Sequence, residues 1–166
     1  MPPRHDACLR RLLDMLSEVP MIEVAVLVGS LADGRGDPVS DVDLLVFVAA
    51  GRFREVWAGR HGLHGPDSAV CWDQVDPQRP DVGVFRWVGP DGVLVEVLVA
   101  EVRSGVRVAS PAVMVLGDVA AFDRLPRRAP IRREEFGTTA PHPVDAAYDA
   151  FKQAVRAARR HPPGTV

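Results

Sequence analysis

The chain has 166 residues, of which 47% are hydrophobic and 25% charged, with a net charge of −2. That length supports one domain with a real core, and so small a net charge exerts no global pull toward nucleic acid. No apolar run is long enough to span a bilayer, and the first residues lack the apolar stretch of a signal peptide.

Residues 3 to 18 are expected to form a helix. Leu9, Leu12, Leu13 and Leu16 recur at the spacing of one helical face, and Pro20 stops the run. Residues 22 to 28, "IEVAVLV", are expected as a strand, and 29 to 40 as a loop with Gly29, Gly34, Gly36 and Pro38. Residues 41 to 49 make a second strand. A loop this short joins the two most simply as an antiparallel pair. A short helix over 51 to 60 and a weak strand over 69 to 73 follow. Two Val-rich runs, 82 to 88 and 93 to 102, flank Gly89-Pro90-Asp91-Gly92, which is hairpin turn chemistry. Residues 112 to 118, "AVMVLGD", are expected as an edge strand.

Residues 1 to 125 are thus expected as one folded domain and the Pro- and Arg-rich 126 to 143 as a linker. Residues 144 to 166 are expected as a terminal helix and tail. In that helix Val144, Ala147, Tyr148, Phe151, Val155 and Ala158 form an apolar stripe. A second copy of the chain, or a helical partner protein, would bury it. Strands cluster in the middle and helices lie at the ends. That pattern indicates an α+β fold, a mixed or antiparallel sheet with helices packed on one side. Cys8 and Cys71 are isolated, which fits a reducing cytoplasm and disfavours a zinc site.

The chemistry concentrates in "VLVGSLADGRGDPVSDVDLLVFV", Val26 to Val48. Side chains at i and i+2 on a strand share a face, with Cα atoms roughly 6.6 Å apart. Asp41 and Asp43 therefore point the same way and repel unless a cation lies between them. Hard carboxylate oxygens select Mg²⁺ or Mn²⁺, and Mg²⁺ leaves positions open for phosphate oxygens. A nucleoside triphosphate is the natural third party. Gly29 admits close backbone approach to phosphate, and Ser30 offers a hydroxyl donor. The plainer alternative, two aspartates opening a strand in solvent, explains neither Gly29-Ser30 nor the spacing. "GSLADGRG" fails as a P-loop, because Arg35-Gly36 stands where Lys-Ser/Thr is required.

Gly29-Ser30, ten residues, then Asp41-Val42-Asp43 resembles the pattern of the DNA polymerase β-like nucleotidyltransferase superfamily. Within it the chain resembles the small antibiotic nucleotidyltransferases, especially the lincosamide type, over about residues 20 to 125. The resemblance implies a mixed sheet flanked by helices and a divalent metal on Asp41 and Asp43. It also implies transfer of a nucleoside monophosphate from an NTP to a hydroxyl, with release of pyrophosphate. The acceptor would be a small molecule such as an antibiotic. Catalytic roles fall on Asp41, Asp43 and Glu96, with Glu96 in "VLVEVLVAEV" as third metal ligand or general base. Nucleotide contacts fall on Gly29, Ser30 and Arg35. Glu101, five residues on, would face the other side of a continuous strand. A minimal relative of the antitoxin kind, acting on a helical protein partner, is the alternative reading of so short a chain.

Overall fold

A computed structural model describes residues 1–128 and, further on, Ala150, Gln153, Ala154 and Ala157, all four helical. The expected linker beyond Arg128, and the apolar stripe of the terminal helix, lie outside the described residues. The chain divides into two compact units, Met1–Pro130 and Ile131–Val166.

Helix α1 (Pro3–Ser17) starts where extended Pro2 hands over to Pro3 in the first turn, a position that needs no backbone donor. It buries Cys8, Leu9, Leu12 and Leu16. Strand β1 (Ile22–Val28) then pairs antiparallel with β2 (Val42–Val48), as the short connection requires. That connection is not all loop: its first residues make a single helical turn, α2 (Gly29–Ala32). Helix α3 (Phe53–Ala58) and a 3₁₀ turn (Arg60–Leu63) lead to β3 (Ala69–Asp76) and β4 (Arg79–Val88). β3 is longer than expected because a turn at residues 76–79 folds it into a hairpin with β4. The hairpin from β4 to β5 (Leu94–Glu101) closes on the expected tetrapeptide. There Gly92 N–H donates to the Gly89 carbonyl at 2.8 Å, and Gly92 takes φ +71°.

Next come two residues of β6 (Val108–Ala109), the strand β7 (Val113–Gly117), the helix α4 (Val119–Arg124) and β8 (Arg127–Arg128). β7 is the expected edge strand, paired with β1. The six-stranded sheet runs β3-β4-β5-β2-β1-β7. It is mixed, because β2 and β5 pair parallel while every other pair in it is antiparallel. The fold is α+β, a mixed sheet flanked by helices.

Helices do not keep to one side. The larger core joins α1, Leu31 and Phe53 to Val42, Leu44, Val46, Val48, Val95, Val97 and Val99. The opposite face carries Val24, Val26, Phe47 and Ala100, and is covered by Val106, Val108, Ala121 and Leu125. The strands are apolar on both faces over part of their length, so each face needs its own cover. On the first face Trp57 of α3 lies flat against Gly83, where a Cβ would meet its ring at 2.6 Å. No helix among the described residues is long and apolar enough to cross a membrane.

Leu12 is 1% exposed at the centre of the α1 contact. Leu12→Ala should lower the stability measured by urea denaturation by about 2–5 kcal/mol, as cavity-forming core substitutions do.

Candidate active site

The strand phase decides where the acids point. Val42, Leu44, Val46 and Val48 of β2 belong to the α1 core, so Asp43 faces the other way with Leu45 and Phe47. Likewise Val95, Val97 and Val99 of β5 face α1, which turns Glu96, Leu98 and Ala100 to Asp43's side. Register then places Asp43 directly opposite Glu96. Glu96 in turn lies opposite Arg86 of β4, and Arg86 opposite Trp72 of β3. One transverse row therefore reads Val28, Asp43, Glu96, Arg86, Trp72 across five strands.

Like charges directly opposite on neighbouring strands repel. Arg86 offsets one of them, with its Nε 2.8 Å from a Glu96 carboxylate oxygen and both side chains mostly buried. Its guanidinium also lies over the Trp72 ring, 5.6 Å from the centroid. Asp41 precedes β2 and is 4% exposed. It lies two residues before Asp43, the spacing that puts both on one face.

The loop between the strands is drawn against these acids. Gly29 takes φ +73°, and a Cβ there would stand 2.5 Å from the Asp43 Oδ2. Only glycine lets the turn after β1 close over that carboxylate without strain. Ser30 Oγ donates to Ser40 Oγ at 3.1 Å, and Ser40 Oγ donates to Asp37 Oδ1 at 3.0 Å. The backbone N–H of Asp37 also donates to Ser40 Oγ, at 2.9 Å. Ser40 is thus the hub that ties Ser30 to the start of the acidic strand. From the other side His5, fully buried in α1, donates Nε2–H to the Ser40 carbonyl at 2.8 Å. Arg4 donates to the Pro38 carbonyl at 2.7 Å. The loop's geometry is set by α1 as much as by its own glycines.

The other candidates separate cleanly. Glu101 faces the α1 side and accepts the Phe53 N–H at 3.3 Å, where it caps the start of α3. Arg35 projects to solvent and is ion-paired with Asp33, whose carboxyl it holds below the usual carboxylate range. Trp57 and Trp87 pack in the core, whereas Trp72 stands on the acid row. Sequence reasoning missed Ser40, Asp37, His5 and Arg86. Asp37-Pro38-Val39-Ser40 carried a turn signal that could have singled out Ser40, since Asp followed by Pro nucleates side-chain-capped turns. Nothing local marked His5 or Arg86, whose roles depend on long-range pairing.

Among the described residues no three His, Cys, Asp or Glu side chains gather at metal-ligand spacing. Asp41, Asp43 and Glu96 do not form a closed three-carboxylate cage, and Glu96 is engaged by Arg86 instead. The donor set still fits a hard cation that takes two carboxylates and fills its remaining positions with phosphate oxygens and water. Asp41 and Asp43 would hold it.

Gly29→Ala would drive its Cβ into Asp43 in a left-handed backbone conformation. A stability loss of about 1–3 kcal/mol is expected in thermal or urea denaturation. A crystal structure of the variant should show the Asp43 carboxylate displaced.

Two structures of terminal uridylyl transferase 4 from Trypanosoma brucei are similar to this chain. The one with bound GTP is 19% identical and has a TM-score of 0.41, over 58% of this chain and 34% of that one. The one with bound UTP and UMP is 19% identical with a TM-score of 0.39, over 57% and 34%. The chain spans about a third of the length of those proteins. A comparison with curated proteins finds no match. A family model described as a nucleotidyltransferase domain matches residues 9–85, just under half of the chain. That span runs from α1 through Gly29, Ser30 and both aspartates into β4.

Proposed function

We propose that the acid row is the centre of a metal-assisted nucleotidyl transfer from an NTP to a hydroxyl of a small acceptor. The observation that carries the reading is the placement of Asp43 beside Glu96, with Asp41 two residues before it and Gly29 closed over the carboxylate. Two carboxylates this close are unfavourable by themselves and become favourable around a divalent cation.

Asp41 and Asp43 would hold the metal, whose charge would offset that of the triphosphate around the α-phosphorus. Ser30, fixed by Ser40, presents its side of the loop to the phosphates. The acceptor hydroxyl oxygen attacks the α-phosphorus and forms the new P–O bond. The bond from the α-phosphorus to the bridging oxygen breaks, and pyrophosphate leaves with that electron pair. The hydroxyl proton passes to Glu96, the acid that the strand register sets beside the metal ligands. Arg86 keeps the Glu96 carboxylate aimed along the row. Most of the rate then comes from positioning and charge neutralisation. Arg35 is given no part in donor binding, since Asp33 holds it at the solvent side.

Magnesium with a non-hydrolysable NTP should raise the melting temperature of the wild-type chain by mass action. Asp41→Asn and Asp43→Asn should each abolish that shift while the ligand-free melting temperature is kept. An undiminished shift in both variants would remove the metal from the mechanism. Glu96→Gln should slow the chemical step about 10²- to 10⁴-fold in single-turnover assays, with little change in NTP affinity. Glu101→Gln should leave the chemical step intact and act only through the start of α3. Reversed behaviour of the two glutamate variants would reject Glu96 as the base.

A further inference from the structure

The face that carries the acids continues into a groove of about 440 Å³. Its floor includes Val28, Leu45 and Leu98. Val28 is the cross-strand partner of Asp43, and Leu45 and Leu98 are paired with each other two residues beyond Asp43 and Glu96. The floor therefore begins where the acid row ends, about 6.6 Å along the strands. Among the described residues its rim is made by Arg79, Arg107 and Arg128, and no carboxylate lines it. Asp76 accepts from Arg79 Nε at 2.7 Å, which leaves that guanidinium further donors to offer.

We propose that this groove seats the acceptor, and that the acceptor is a small phosphate-bearing alcohol such as a sugar phosphate. The assignment rests on the reading of the acid row as the transfer centre.

Four features argue for it. The apolar floor suits the carbon face of a ring, and three guanidiniums match phosphate oxygens in geometry and charge. The volume falls within the range of about 300–1,000 Å³ usual for small-molecule sites. A cation on Asp41 and Asp43 would offset the donor's phosphate charge, and the rim arginines would then suit a second anion. A polycationic acceptor such as an aminoglycoside would meet the like charges of Arg107 and Arg128 there, Arg79 being paired with Asp76. A polynucleotide would need a longer basic track than one groove on a chain of net charge −2.

The acceptor's hydroxyl would lie toward Glu96 and its phosphate toward the rim. Transfer would join the nucleoside monophosphate to that hydroxyl as a phosphodiester and leave the acceptor's own phosphate intact.

Calorimetry on the full chain at low salt tests this with ribose 5-phosphate, ribose, tobramycin, a hexanucleotide and magnesium–ATP. Ribose 5-phosphate should bind, while ribose and tobramycin give no heat. The double variant Arg107→Ala, Arg128→Ala removes two exposed side chains from the rim. It should weaken ribose 5-phosphate at least tenfold and leave magnesium–ATP unchanged. Equal binding of tobramycin, tighter binding of the hexanucleotide, or absence of ribose 5-phosphate heat would overturn the proposal. A parallel loss of magnesium–ATP affinity in the double variant would assign the groove to the donor instead and overturn it as well. Asp43→Asn should lose magnesium–ATP and keep ribose 5-phosphate. Absence of magnesium–ATP heat in the wild type would overturn the transfer centre, and absence of ribose 5-phosphate heat the groove, so the two failures are told apart.

Discussion

The parallel, in-register pairing of β2 with β5 is the constraint on which the site depends. It sets the carboxylates of Asp43 and Glu96 side by side on a sheet face that is otherwise largely apolar. A slip of one residue would turn Glu96 into the α1 core and leave a valine opposite Asp43. The register is held because both strands present unbroken aliphatic sets to α1: Val42, Leu44, Val46 and Val48 on β2, and Val95, Val97 and Val99 on β5. The hydrophobic effect on one face thus fixes the electrostatics on the other. Arg86 offsets part of the repulsion so created, through its contact with Glu96.

The loop from Gly29 to Ser40 adds a second level of organisation. A loop carrying this many turn-forming residues could adopt several shapes. Here Ser40 collects bonds from Ser30, Asp37 and His5, so that three distant parts of the chain agree on one shape. His5 reaches Ser40 from the first turns of α1, and Arg4 holds the carbonyl of Pro38. The helix that fills the core thereby also sets the angle at which the acidic strand begins.

Much of this was legible before any coordinates. Alternation along the expected strand implied that Asp41 and Asp43 share a side, and Gly29 stood out because only a small residue suits a close turn. Apolar runs located β1, β2, β4 and β5, since long valine-rich segments leave little choice of element. What could not be read was partnership across the sheet. In "VLVEVLVAEV" the mid-strand position favours Glu96 over Glu101, but the face each takes is fixed only by packing against α1. Arg86 looked like any surface arginine until β4 was placed beside β5. His5 gave no local sign because its partner lies 35 residues away. The expectation that helices cover one face failed for a related reason. Val24, Val26 and Phe47 point away from α1 and are apolar too, so α4 and the segment around Val106 and Val108 must close over them.

The division of labour along β2 and β5 has an evolutionary corollary. Alternate positions of the same strands serve different surfaces: Val42, Leu44, Val95 and Val97 pack in the core with α1, while Leu45 and Leu98 line the groove. Because the rim arginines come from separate segments outside those two strands, a lineage could reshape molecular preference one position at a time. The scaffold would not need to be rebuilt, and a single ancestral architecture of this sort can radiate into many selectivities.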